Sequence, residues 1–185
     1  MLRRDMATLA PLIYRIAEPA DFDAIHRLNY QTFVEEIPQH PPNSERRLVD
    51  RFHAENTYVI CVDGGRLAGM ICGRCDRPFS LERKLPELAR WVPTHRKAVE
   101  IRLLSVTRHH RRIAGKSSVF RGLTTHLSTH FLAQGCDLAL ISGTVRELKL
   151  YRHLGFEAFG PRVGSAEASY QPMYLTLDAF KRGAA

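Results

Sequence analysis

The chain has no apolar run approaching the ~20 residues of a membrane span, and none is expected here. Its opening residues, MLRRDMATLAPL, hold two arginines but too short an apolar segment for a secretory signal. Residues 1–12 read as a flexible arm, and 13–185 as one domain, since no repeat or shift in composition marks a boundary. Cysteine is scarce: Cys61, Cys72, Cys75 and Cys136. Cys72-x-x-Cys75 lacks the second pair that four zinc ligands require, and its odd spacing on a predicted strand sends the two thiols to opposite faces. These are buried or edge thiols of a reducing, cytoplasmic compartment, with no metal expected.

Other motifs are missing one essential residue. Gly115-Lys116-Ser117 ends like a phosphate-binding Walker A loop, but that loop needs glycine at position 110, where His110 stands. His126 and His130 are four apart on one helical face, yet the hydrolytic zinc motif needs glutamate at position 127, which is Leu127. Acidic residues are also in deficit, with 19 against 27 Lys and Arg, a formal charge of +8. A polyanion, an acidic protein or a phosphorylated ligand would suit that charge. The helix predicted after Ser117 carries only Arg121 among Thr, Ser, His and apolar residues, so a nucleic-acid recognition helix is not expected.

What is present reads as an ordinary globular domain, 44% hydrophobic and 25% charged. Tyr14–Ala17 predicts a first strand. Asp21 then caps a helix whose Phe22, Ile25, Leu28 and Phe33 recur at helical spacing. The three prolines between Ile37 and Asn43 make a loop, and a second helix is expected from about Ser44, burying Leu48, Val49 and Phe52. Asp63-Gly-Gly joins two strands, 57–62 and 66–72, as a hairpin. Residues 76–97 form an excursion with one short helix. Its Phe79, Leu81, Leu85, Leu88 and Trp91 fit either a substrate channel or simple core. A strand at 99–106, a helix carrying Phe120, Leu123, Leu127 and Phe131, and a strand at 137–142 follow. Thr144-x-x-Glu147 is a capping box opening a short helix that ends at Gly155, with two last strands at 156–159 and 173–177. The fold class is α/β, a mixed central sheet of about six to seven strands flanked by helices.

The densest information lies in Glu100–Leu123. Arg112-x-x-Gly115-x-Ser117 opens the helix that follows a strand and a basic loop. A helix N-terminus presents free N–H groups and partial positive charge, so it is a ready anion site, and Arg111, Arg112 and Lys116 add full charges. His109 and His110 flank the same place.

This segment resembles the acyl-CoA-binding motif of the GNAT superfamily of N-acyltransferases. Leu150-Tyr151-Arg-His-Leu-Gly155-Phe156, some 30 residues on, resembles that family's Phe-Tyr-x-x-x-Gly-Phe motif. Ser117 departs from the usual Gly or Ala but is small enough for close backbone approach. The resemblance implies acetyl-CoA or another acyl-CoA as co-substrate, with pyrophosphate on Arg111, Arg112, Ile113, Ala114, Gly115, Lys116 and Ser117. Pantetheine would lie along Leu104, Ser105 and Val106, like an added strand. It further implies direct attack by a small-molecule or peptide amine, with Tyr151 protonating the departing thiolate. Glu100, on the motif strand and sharing a face with Arg102 and Leu104, is the candidate general base; the alternative for it is a structural ion pair. Glu35, Glu36 and His153 are weaker candidates. Asn29-Tyr30-Gln-Thr-Phe33-Val-Glu35-Glu36 is similar to a stretch of N-acyl amino acid and autoinducer synthases. That likeness implies a long acyl chain, with acidic acyl carrier protein as a donor partner. A CoA-binding protein without catalysis is a further alternative.

Overall fold

The computed structural model of the protein describes residues 11–112, 116–164 and 169–183, and the side chains of these except 112 and 116–118. The arm expected over residues 1–12 therefore falls mostly outside the described residues, although Leu12 already packs against the core.

One open mixed sheet organises the molecule. β1 (Ile13–Ile16), β2 (Thr57–Asp63), β3 (Arg66–Arg74) and β4 (Ala98–Val106) run antiparallel in chain order. β5 (Leu138–Thr144) pairs in parallel with β4, and β8 (Ser169–Thr176) closes on β5 antiparallel. Two-residue strands β6 (Glu157–Ala158) and β7 (Val163–Gly164) both pair with β8, which gives one short strand more than the sequence suggests. The helices are α1 (Phe22–Tyr30), extended by a π turn at Gln31–Glu36, then α2 (Arg108–Arg112), α3 (Lys116–Ala133), α4 (Leu148–His153) and α5 (Leu177–Gly183). A parallel pair needs a crossover, and α2 and α3 supply it between β4 and β5.

Alternation along the strands divides the core. Val59, Cys61, Ala68, Ile71 and Val99 face α3, where they meet Val119, Leu123, Leu127 and Phe131. Tyr58, Ile60, Met70 and Cys72 face the other way, under Ile25 and Leu28 of α1. Each large side chain so buried contributes about 1.5–3 kcal/mol of transfer free energy. Gly69 and Gly73 let α3 come close: a Cβ on Gly73 would lie 2.5 Å from the Phe131 ring.

Three expectations do not hold. No helix forms from Ser44. The segment follows Pro41 and Pro42, Arg46 sits at φ 52, and the Leu48 N–H donates to the carbonyl of His26 instead of to its own turn. Val49 is 52% exposed rather than part of a buried stripe. The capping box at Thr144 is not made either: no side-chain cap forms there, and a 3-10 turn, Val145–Glu147, precedes α4. Asp21 does not cap α1; its carboxylate accepts the Glu18 N–H and pairs with Arg15 at 2.6 Å. In the excursion, Phe79, Leu81, Leu85 and Leu88 are core, packed with Ala98, Leu138, Leu140 and Phe159, and Trp91 is 45% exposed.

A polar network ties α1 to the sheet. Arg102 on β4 forms a bidentate pair with Asp50 (2.7 and 2.9 Å), and Asn56 bridges Asp50 to the Tyr58 hydroxyl. His53 sits between that hydroxyl (3.2 Å) and His26 (3.5 Å). Burial would raise the Asp50 pKa, but the Arg102 guanidinium and two N–H donors bring it below 3.8. Burial, then His53 and Arg47, push His26 below 6.5 against the pull of Asp23. Both shifts have the same sign for stability: a depressed folded pKa gives a contribution present above the unfolded value and lost as pH falls. Chemical denaturation should therefore show stability falling as pH drops below 6.5, where unfolded His26 binds its proton first. A steeper loss should follow below 3.8 as Asp50 protonates. His26→Gln should flatten the first phase and leave the second.

Candidate active site

β4 and β5 stay paired for only three rungs, Ala98–Leu138, Val99–Ala139 and Glu100–Leu140. Beyond them the strands part. The parting has a local cause on the other edge of β4. Met70 and Cys72 of β3 pair with Ser105 and Arg102, so two residues of β3 span three of β4. The extra residue is a β-bulge with Leu103 at φ 53, a left-handed conformation costing a non-glycine residue on the order of 1 kcal/mol. A bulge bends and overtwists its strand, which turns β4 away from β5. It also breaks the side-chain alternation. Leu103 points to the α1 side and Leu104 to the α3 side, so Leu104 does not share a face with Glu100 and Arg102 as the period-two reading expects.

The gap opens into a cavity of about 1060 Å³ that passes through the sheet. On the α3 side it is walled by Phe120, Leu127, Phe131, Leu132, Leu175 and Phe180. On the α1 side it meets Asn29, Phe33, Asp50, Arg51, Lys84 and Arg102. Leu104 lines it, and Ser105 on the same strand is 2% exposed with a hydroxyl that finds no partner among the described residues. The β4 edge facing β5 carries peptide groups with no strand partner from Ile101 onward, an edge that an extended ligand can pair with.

Tyr151, on α4, lies in the cavity wall. Its ring covers Gly143, where an added Cβ would approach it to 2.8 Å, and stands edge-on to Phe156 at 6.4 Å. Burial raises the phenol pKa, and Thr144 offsets only part of this, so the hydroxyl holds its proton at neutral pH.

Glu100 also reaches the cavity, but it is 1% exposed and its carboxylate is occupied. It accepts the Ser80 N–H (2.8 Å), the Ser80 hydroxyl (2.6 Å) and the Leu81 N–H (2.9 Å), with Arg102 at 3.9 Å. These bonds clamp the excursion to the sheet. From sequence the alternatives to a base were an ion pair beside Arg102 or a solvated edge; the carboxylate is buried and its contacts are mainly N–H and hydroxyl donors of the excursion.

The basic loop is partly engaged as well. Arg111 and Arg108 both bond the Glu36 carboxylate, at 2.5 and 3.0 Å, and pull it below its ordinary pKa despite burial. The π turn thereby covers α2, and Glu36 is a partner of the basic loop. His110 bonds Thr107 at 2.7 Å and Asp63 at 2.9 Å, and the turn it was expected to flank lies outside the described residues. Ile113, Ala114 and Gly115 lie outside the described residues, as do the side chains of Arg112, Lys116 and Ser117. Among the described residues no group of three or more His, Cys, Asp or Glu converges as a metal site, and no helix is long and apolar enough to cross a membrane. Cys72 and Cys75 point to opposite faces, the first to the Arg102 carbonyl (3.4 Å) and the second to the Cys136 sulfur (3.3 Å).

Sequence reasoning passed over Lys84 and Arg51, and noted Asn29 only as the start of the Asn29–Glu36 stretch. Asn29 is fully buried at the cavity, and both of its amide atoms lack a partner among the described residues. Nothing in the spacing of Lys84 sets it apart from its solvated neighbours.

Comparison with known proteins agrees with this geometry. The CoA-dependent acyl-homoserine lactone synthase BjaI, solved with isopentyl-CoA, overlays with a TM-score of 0.75 at 17% identity, over 94% of this chain and 88% of that one. FeeM, an N-acyl amino acid synthase from uncultured soil microbes, overlays at 0.71 and 19% identity, over 94% of both. A putative acetyltransferase from Salmonella typhimurium, yncA, solved with acetyl-CoA, overlays at 0.60 and 18%, over 91% and 95%. No curated protein sequence matches the chain. The family model of the acetyltransferase (GNAT) domain, however, matches residues 28–120, half of its length, and the chain belongs to that family of acyltransferases.

Proposed function

We propose that the protein moves an acyl chain longer than acetyl from a CoA thioester to a primary amine. The observation that carries this is the cavity of about 1060 Å³, far larger than an acetyl group requires. Its α3 side, walled by Leu127, Phe131 and Leu175, is the apolar part that an acyl chain would fill. BjaI, with its isopentyl-CoA, and FeeM, named for N-acyl amino acids, add support of the same kind.

Each residue has a task in this scheme. The two amides of pantetheine pair with the open edge of β4 at Leu104, Ser105 and Val106, and its phosphates rest at the start of α3, with Arg111, Arg112 and Lys116 nearby. The bulge takes Leu103 and Leu104 out of the β3 ladder, so a peptide N–H there is available to the thioester carbonyl as negative charge develops. The amine nitrogen attacks the carbonyl carbon, the C–S bond breaks, and Tyr151 gives its proton to the thiolate. The proton lost by the amine passes to solvent. Glu100 acts as a positioning residue, holding Ser80 and Leu81 against the site.

An acyl carrier protein as donor is the second reading, favoured by the charge of +8, since carrier proteins are acidic. Calorimetry with acetyl-CoA, octanoyl-CoA and free CoA separates the possibilities. Octanoyl-CoA should bind at least about tenfold more tightly than acetyl-CoA, a gap of about 1.4 kcal/mol that two buried methylenes supply. Equal binding would return the donor to acetyl-CoA, and no binding of any of them would leave the carrier protein as the donor to test.

Tyr151→Phe should lower turnover by about 10- to 100-fold, the low end for general acids because a thiolate leaves readily. Its octanoyl-CoA affinity should stay within about twofold, which binding and thiol-release assays read separately. Unchanged turnover would remove Tyr151 from the chemistry.

Glu100→Gln distinguishes anchor from base. An amide cannot accept all three bonds, and each buried donor left unpaired costs about 1–3 kcal/mol. We expect a lower melting temperature together with a raised KM for the amine. Lost turnover with full thermal stability would instead give Glu100 the base role.

A further inference from the structure

The two faces of this sheet carry different chemistry at the cavity. Val99 faces α3, whereas Glu100 and Arg102 face the α1 side, where the Arg102 guanidinium meets Asp50. Glu100 stands six residues before Val106, about 20 Å of strand from the basic loop at about 3.3 Å per residue. Charges gathered around Glu100 are therefore too distant to serve the phosphates expected at that loop.

Those charges do not balance. Arg102 is neutralised by its bidentate pair with Asp50, and Glu100 is saturated by Ser80 and Leu81 with Arg102 at the edge of range. Arg51 and Lys84 remain. Neither makes a hydrogen bond or an ion pair within 4.0 Å among the described residues, and both line the cavity. The Lys84 ammonium lies over the Tyr170 ring at 4.7 Å, and the Arg51 guanidinium over Phe52 at 4.6 Å. Three cations (Arg51, Lys84, Arg102) thus face two carboxylates (Asp50, Glu100) in one recess. Burial pushes both Lys84 and Arg51 below their ordinary pKa values; Glu100 pulls Lys84 the other way, while Arg102 and Arg51 add to the depression.

Two cations without a hydrogen-bond or ion-pair partner among the described residues, at one cavity wall, offer an anion two charge-assisted contacts. The backbone keeps Lys84 in place for that purpose. Leu81, held by Glu100, accepts the Lys84 N–H at 3.0 Å and the Leu85 N–H at 2.8 Å, and the Leu85 side chain is buried in the core. Lys84 is thus carried on a turn locked at both ends, at the wall of the cavity.

We propose that Lys84 and Arg51 form a carboxylate subsite, and that the amine acceptor is an amino acid or a similar amine bearing a carboxylate. The proposal rests on the acyl-transfer reading for its substrate, but not for its measurement. The carboxylate bridges the Lys84 ammonium and the Arg51 guanidinium, and its amino group points towards the gap between β4 and β5, where the thioester would lie. The acceptor thereby enters from the α1 face, opposite the helix that carries the donor phosphates.

The test uses N-decanoylglycine and N-decanoylglycinamide, which share the acyl chain and differ only in the anionic group. By calorimetry at moderate salt, the carboxylate should bind at least about tenfold more tightly than the amide, as expected for a carboxylate making charge-assisted contacts with two cations. Lys84→Met should erase the difference, and Lys84→Arg should keep most of it. Equal binding of the two probes, binding of neither, or an undiminished preference in Lys84→Met would each overturn the subsite. Octanoyl-CoA binding and thiol release are measured in parallel. If these are positive while the probes are not distinguished, the carboxylate subsite falls and acyl transfer stands. If the probes are distinguished while no acyl-CoA binds, the subsite stands and the donor assignment falls.

Discussion

Everything functional in this molecule depends on a pairing that stops. Parallel strands in an α/β sheet normally run side by side for their whole length, since each unpaired peptide group costs free energy once water is excluded. Here β4 and β5 separate after Glu100 and Leu140, although both continue for several residues. Two things make the separation affordable. β4 keeps its other edge on β3 through the bulge, and β5 keeps seven rungs on β8, so each strand is held on one side. The free edges then face a cavity large enough for water or a ligand to satisfy them. The strained φ of Leu103 belongs to the same device, since the bulge that needs it also turns the strand.

The gap would collapse without props on both faces. On one side α3 is held firmly by Val119, Leu123, Leu127 and Phe131, and the glycines of β3 bring it within van der Waals range of the sheet. On the other side the support is polar. Arg102 holds Asp50 and so the loop after α1, while Glu100 holds Ser80 and Leu81 and so the excursion. Two adjacent outward positions of one strand thus position two separate segments across the cavity mouth. Charged residues suit this role because a carboxylate with several donors fixes direction as well as distance, which dispersion contacts between aliphatic side chains do not.

Periodicity carried most of the fold and little of the site. Strands with clear alternation, and α3 with Leu123, Leu127 and Phe131, were readable because packing against a single face leaves a regular imprint. Residues 44–52 misled for the opposite reason. Leu48, Val49 and Phe52 have helical spacing, but Arg46 in a left-handed conformation and the bond from Leu48 to His26 override a weak propensity. The Arg112–Ser117 pattern and Tyr151 drew notice because their residue types recur at a spacing tied to backbone geometry; Tyr151 lines the cavity, and the centre of that pattern lies outside the described residues. The partners of Glu100 could not be picked out. Ser80 and Leu81 meet it only because the excursion folds back over β4, a tertiary fact with no local signature. Lys84 shares that origin: its chemistry comes from what fails to pair with it.

The proposed reaction would need no covalent enzyme intermediate. If the donor's thioester and the acceptor's amine approach this one opening from opposite faces, the sheet itself sets the line of attack. In such a passage the useful contribution of protein groups is orientation, which replaces the entropy of bringing two molecules together. A side-chain nucleophile in the gap would occupy the space through which the amine must come. The cavity wall offers Asn29, Ser142 and Tyr151 as polar groups instead, of which the first two have buried atoms without partners among the described residues. Unsatisfied amide and hydroxyl groups are tolerated in a fold when a bound ligand completes them, and both stand where an acyl amide would pass. The orphaned polar atoms, the unpaired strand edge and the cations without partners among the described residues all lie at this one cavity, and under the proposed reaction each would be completed by a substrate.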